Sequence, residues 1–338
     1  MYSWVANGYP VVVSTAVRIA VTGSIATDHL MTFAGRFADA LLPDQLAHLS
    51  VSFLVDDLEV RRGGTGANIA FAMGVLGASP LLVGAVGADF ADYSAWLTRH
   101  GVDVSGVRMS ELRHTARFVC TTDADQNQIA SFYPGAMAEA REIELAALGS
   151  LDLVVVSPND PAAMARHTAE ARERGIPFAA DPSQQLSSLD GEQIRALITG
   201  AEVLLSNAYE AAVIERKTGW SPAEVLAQVG VRVTTQGADG VVVDAASGES
   251  FEVPVVPART VADPTGVGDA FRGGFLTGRA RGLGLEPAAR LGCLMATLCV
   301  ETVGTQEYTV DPKDARARLT EAYGEQAAAE LATVVSGA

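Results

Sequence analysis

Cysteine, positive charge, aromatic residues and long apolar runs are all scarce in this 338-residue chain. Cys120, Cys293 and Cys299 form neither a Cys-x-x-Cys pair nor a His-spaced set, which excludes a disulfide framework and a zinc finger. They read as reduced core thiols of a cytoplasmic protein. The 24 Lys+Arg stand against 40 Asp+Glu, a formal net charge of −16, with no basic block. Such a surface repels phosphate backbones and anionic lipids, so neither nucleic acid nor membrane is an expected partner. A small anionic ligand is compatible with it, because a local pocket of backbone amides holds phosphate within an acidic protein. No apolar run reaches the ~18 residues of a membrane helix. Residues 1–16 have no basic residue and no small-x-small cleavage site, and read as a disordered or mis-started extension rather than a signal peptide. No Gly-x-x-x-x-Gly-Lys-Ser/Thr stretch occurs, which excludes a P-loop kinase. The first strand lacks the Gly-x-Gly-x-x-Gly turn of a Rossmann oxidoreductase.

What is present is a 49% hydrophobic fraction and 33 glycines, enough for a large core and many tight turns. A strand is predicted over Val17–Thr22 and a half-exposed one over Ser50–Val60. A helix follows at Ala67–Leu76, a strand at Leu81–Ala85 and a helix at Phe90–His100. Thr115–Thr122 and Gln128–Tyr133 flank a polar turn and read as a hairpin that sets Phe118 opposite Phe132. Strands recur near 153, 178, 203, 231 and 240, and the last third, 269–334, is helix-rich. This βα alternation predicts a single α/β domain over 17–338, with a mostly parallel central sheet flanked by helices. A small β lid is expected from segments within 17–62 and 105–135.

The strongest chemical signal is Asp263-Pro-Thr-Gly-Val-Gly-Asp269 at a strand-to-helix junction. Gly266, Val267 and Gly268 present successive backbone N–H groups to an anion, and the following helix adds its positive end. That cradle suits charge developing on a transferring phosphoryl group, with Asp269 as base for an attacking hydroxyl. The second signal, Gly63-Gly-Thr-Gly-Ala-Asn68, lets backbone approach a ligand while Asn68 offers amide and carbonyl. Asp28 reads equally as a ribose acceptor and as a turn or N-cap aspartate.

These two stretches, with Asn207-Ala-Tyr-Glu210, Gly84-Ala-Val-Gly-Ala-Asp89 and Thr234-Thr-Gln-Gly237, resemble the signatures of the ribokinase-like (PfkB) carbohydrate kinases, in order from about residue 17 to 325. Within that family Val21–Leu30, Ser52–Asp57, Ala130–Met137, Ala180–Leu186 and Gly304–Glu307 are most similar to the actinobacterial type of adenosine kinase. The resemblance implies a ribokinase fold and ATP- and Mg²⁺-dependent phosphorylation of the 5′-hydroxyl of adenosine. It implies that Asp28, Gly64 and Asn68 hold the ribose, with Ser24 and Ser52 nearby, and that Phe118 and Phe132 sandwich the base. Gln184 and Gln185 would address the base edge. Asn207, Thr235 and Gly237 would serve ATP, and Glu210 the Mg²⁺ through water. Activation by a monovalent cation is left open.

One point stands on the residues alone. A sugar offers no π-face, whereas two aromatics closing on a purine contribute about 1–3 kcal/mol per stacked base. Phe132 as ordinary lid or dimer packing is the plain alternative, and Gln184-Gln185 as a helix-start turn is another. Arg117 reads either as a phosphate-steering residue or as a solvated strand arginine. A half-apolar lid face predicts a homodimer joined through the lids. The alternatives to a nucleoside kinase are a ribose- or fructose-type sugar kinase and a non-catalytic nucleoside-binding protein of the same fold.

Overall fold

The computed structural model describes residues 17–41, 48 and 50–337. The expected extension over 1–16 lies outside the described residues. Among the described residues nine strands form the large sheet and four the small one, in chain order as follows. They are β1 (Ile19–Thr22), β2 (Ala26–Thr32), β3 (Asp57–Gly63), β4 (Leu81–Val86), β5 (Val107–Met109), β6 (Ala116–Thr122) and β7 (Gln128–Tyr133). Then come β8 (Leu153–Val156), β9 (Phe178–Ala180), β10 (Val203–Asn207), β11 (Val231–Thr235), β12 (Val241–Ala245) and β13 (Ser250–Val253).

The large sheet runs β13-β12-β11-β10-β9-β8-β1-β4-β5. It is parallel from β11 to β5 and antiparallel at β11–β12–β13. Its central strands β1, β4, β8, β9 and β10 are short apolar runs buried on both faces, and alternate residues sort into two cores. Ile19, Val21, Val155, Val203 and Leu205 pack on one side with the helices Thr65–Val75, Val267–Ala280 and Leu285–Val300. Ala20, Val154, Val156 and Leu204 pack on the other with Pro161–Glu173, Gly191–Ile198 and Ala208–Thr218. The order reverses at β1, whose neighbours are β8 and β4, and ligands of open α/β sheets bind beyond the strand carboxyl ends at such a reversal.

The small sheet is ordered β3-β2-β6-β7. It is narrower than expected: residues 19–22 and 107–109 belong to the large sheet, and the lid strands occupy 26–32, 57–63, 116–122 and 128–133. Residues 50–56 are not strand, although their alternation suggests one. Leu54 is 87% exposed there, while Phe53 packs its ring on Phe33 and Phe37 at 5.0 Å without any strand pairing. The hairpin pairs Phe118 with Phe132 as expected. Among the described residues no helix is long and apolar enough to cross a membrane.

Candidate active site

Between the carboxyl edge of the large sheet and the inner face of the lid lies a cleft of about 730 Å³. Ser24, Asp28, Gly64, Asn68, Phe118, Phe132, Gln184, Gln185, Asn207, Glu210, Gly266, Gly268 and Asp269 all line it. Side chains in register across a sheet share a face. Arg61, Asp28, Phe118 and Phe132 are consecutive partners across β3, β2, β6 and β7, so one row of the lid carries the acidic and aromatic groups into the cleft. Phe132, on the roof, is 53% exposed.

At the floor, the loop before the helix Val267–Ala280 turns through Gly266 with φ +78, where a side chain would strain the backbone and meet Thr305 Cβ at 2.8 Å. Val267 opens the helix but does not line the cleft. Asp263 braces this loop by accepting from the Thr265 N–H at 2.9 Å and the Gly304 N–H at 3.1 Å, and Arg61 of the lid reaches it at 3.3 Å. Burial would raise its pKa, but these donors hold it below the usual carboxylate range.

Asp269 sits half-buried in the first turn of that helix. Burial pushes its pKa up to about 6, against the opposing pull of Arg272 and of the Asn68 amide, which donates to Asp269 Oδ2 at 2.9 Å. A base of that pKa is ionised at neutral pH while still able to take a proton. Asn68 is itself fixed from behind. Its Oδ1 accepts from Thr305 Oγ1 and Gln306 Nε2, both at 2.9 Å, and Gln306 Nε2 also stands 2.6 Å from Tyr93 Oη. Tyr93 donates in turn to the Gly63 carbonyl at 2.9 Å. A buried chain thus orients the Asn68 amide that donates to Asp269. Asp28 has its pKa raised by burial, with Arg61 opposing.

Asn207 and Glu210 form a reciprocal cap at the start of the helix Ala208–Thr218, each side chain accepting from the other's backbone N–H at 2.8 Å. Glu210 also accepts from Ser183 Oγ at 3.1 Å. Asp181, buried at the end of β9, is pushed up to about 7 by desolvation, with Arg272 pulling the other way. Gln185 is already engaged, donating to the Asn159 carbonyl at 2.8 Å.

Four expected residues fall outside the cleft. Ser52 is exposed on the non-strand segment before β3. Thr235 is the register partner of Asn207 on the next strand, and Gly237 follows it with φ +62, so both extend the carboxyl edge beyond the cavity. Val267 is the fourth. Arg117 pairs with Asp89 on the opposite face of the lid from Phe118 and does not line this cleft. Conversely, Met137, Asn159, Ser183, Arg272 and Thr305 line the cleft without having been singled out. The stretches Ala130–Met137, Ala180–Leu186 and Gly304–Glu307 contain three of them, Met137, Ser183 and Thr305, without naming them, and no stretch reached Asn159 or Arg272.

The strand order, the roofed cleft and the glycine cradle beside a half-buried carboxylate define a phosphotransferase-type site at a sheet's carboxyl edge. The chain belongs to the pfkB family of carbohydrate kinases, whose model matches residues 25–312. It is 29% identical over 289 residues to a nucleoside kinase of Methanothermobacter thermautotrophicus, covering 83% of this chain and 92% of that one. It is similar to the nucleoside kinase of Burkholderia thailandensis in ligand-free form, with TM-score 0.82, 37% identity and coverage of 89% and 99% of the two chains. The same enzyme in complex with ADP-inosine matches with TM-score 0.78 and 37% identity, over 90% and 96%.

Proposed function

We propose that this chain is an adenosine kinase that transfers the γ-phosphoryl group of ATP to the nucleoside 5′-hydroxyl, giving AMP and ADP. The observation that carries the reading is the lid row Asp28–Phe118–Phe132 facing the cradle at Gly266–Asp269 across one cleft. The rings supply stacking for a purine, and Asp28 with Asn68 supplies acceptors and a donor for ribose hydroxyls. Ser24 and the Gly64 backbone complete that end, while Gln184 offers its amide to the base edge.

In the transfer, the 5′-oxygen forms a bond to the γ-phosphorus as its proton passes to Asp269. The bond to the bridging oxygen breaks and its electron pair leaves with ADP. Backbone N–H groups of Gly266, Val267 and Gly268 hold the charge on the transferring group. Asn207, Thr235 and Gly237, side by side along the strand ends, serve the nucleotide. Among the described residues no cluster of three acidic, His or Cys side chains could cage a metal. Glu210, already bound at both oxygens, suits Mg²⁺ carried in on the phosphates and met through water. When bound, that ion neutralises phosphate charge.

The inosine complex of the Burkholderia relative favours hypoxanthine nucleosides as a second reading. A coupled ADP assay over adenosine, inosine, ribose and fructose tests both. Faster turnover of ribose or fructose than of either nucleoside would discard them, and no turnover of any would favour a binding protein. On the lid's outer face, Leu58, Val60, Ile129 and Tyr133 are 44–55% exposed. We propose that a second copy of the chain covers them, so Val60→Asp should shift a dimer to monomer in light scattering; an unchanged mass would refute it.

A further inference from the structure

We propose that Arg272 is a further catalytic residue, a cation whose guanidinium contacts the phosphoryl group in transit beside Gly268 and Asp269. This rests on the kinase reading above and adds to it a charge that neither the glycine cradle nor Glu210 provides.

Arg272 lies one turn beyond Asp269 on the helix Val267–Ala280, so the two side chains share a face. Its side chain is only 7% exposed, yet it lines the cleft. Nη2 stands 2.8 Å from Asp181 Oδ1 and 3.6 Å from Glu210 Oε2. Nε is buried and has no hydrogen-bond partner among the described residues. Nη1 packs on Gly268 so closely that a methyl group added there would sit 2.6 Å from it. The second glycine of the cradle is therefore the residue that lets a guanidinium lie against the amides.

An arginine kept only to neutralise Asp181 would satisfy its fork on both carboxylate oxygens, the strongest geometry open to that pair. Here one nitrogen takes Asp181, Nε is idle and Nη1 lies along the cradle. The surrounding charge points the same way. Asp181, Glu210 and Asp269 set three negative charges against one guanidinium, −3 + 1 = −2 when all are ionised. Burial opposes the charge on Arg272, but these carboxylates hold it protonated. A nucleotide entering that field meets carboxylates on two sides, and the guanidinium beside Gly268 is the positive group that borders the amides. Charge spreads over the equatorial oxygens of a transferring phosphoryl group, and planar guanidinium donors match them.

The bonds made and broken are those already given, with the proton on Asp269 and the electron pair on ADP; Arg272 adds donors and exchanges no proton. Arg272→Met, Arg272→Lys and Asp269→Asn are compared with the parent, with adenosine as acceptor. The expected result for Arg272→Met is a kcat lowered about 100-fold or more with adenosine Kd by calorimetry within threefold. Arg272→Lys should recover about tenfold of that loss, and added guanidinium chloride at non-denaturing concentration should raise the Met variant's rate and not the parent's. If Arg272→Met does not fold, the Lys variant alone decides: kcat within threefold of the parent refutes the role, and a fall of tenfold or more at unchanged Kd supports it. A loss of adenosine affinity equal to the loss of kcat, or no rescue by guanidinium, would reduce Arg272 to a structural counter-ion. If Asp269→Asn keeps full turnover, it is the underlying kinase reading that fails.

Discussion

Replacing Asp269 by Asn should abolish turnover and at the same time stabilise the protein, by an amount that depends on pH. Asp269 is half-buried, and desolvation raises its pKa from 3.8 to about 6. A carboxyl raised in the folded state favours folding fully below its unfolded pKa, and that benefit is lost as pH rises through the folded value. Above pH 6 the folded protein therefore carries an ionised group whose burial costs about 3 kcal/mol, from roughly two pKa units. Asparagine has the same shape, keeps an oxygen for the Asn68 amide and has no charge to desolvate. The gain should be about 3 kcal/mol at pH 8 and under about 1 kcal/mol at pH 4. At roughly 2.1 cal/mol/K per residue, the larger figure corresponds to about 4 °C in Tm for a chain of this size. Calorimetry of the parent and the variant at the two pH values reads it directly. Equal stability at pH 8, or a gain independent of pH, would show that Asp269 is not a desolvated charge, and the account of it as a poised base would fall with that result.

The same carboxylate should set an acid limb in kcat/KM near pH 6, and a profile flat down to pH 5 would remove Asp269 as the base. Phe118→Ala and Phe132→Ala should each raise the adenosine KM about tenfold, within the 1–3 kcal/mol of a stacked base, and leave the ATP KM unchanged. If Phe132→Ala changes neither, that ring is lid packing. Gly266→Ala, forced to φ +78 with its methyl on Thr305, should lower stability by about 1 kcal/mol or more in urea titration and lower kcat further; a neutral effect would show the loop relaxes freely.

The α/β alternation was legible because parallel strands buried on both faces spell continuous apolar runs, and β8 and β10 read that way directly. The hairpin was legible because its turn is symmetric. Strand β2 was not seen: Ala26–Thr32 is half-buried along most of its length and has no clean alternation. Ser52 was set near the ribose only by the resemblance of Ser52–Asp57 to the adenosine kinase pattern, and it lies exposed on a non-strand segment. Arg272, Asp181 and the Gln306–Tyr93 support of Asn68 were invisible for a different reason. Their partners are brought together across separations such as 238 and 213 residues, and no local pattern announces such a pairing.

The lid row Arg61–Asp28–Phe118–Phe132 depends on strand register more than on composition. A slip of one residue between β6 and β7 would turn Phe132 outward and bring Ser131 or Tyr133 opposite Phe118. The turn at 123–127 holds that register, with Asp123 accepting from the backbone N–H groups of Phe37, Asp125 and Asn127. On the proposed nucleoside reading, substrate choice is thus open to change by a one-residue insertion or deletion in a turn outside the cleft. Variants of turn length, rather than of the cleft itself, are a direct route to altered base recognition.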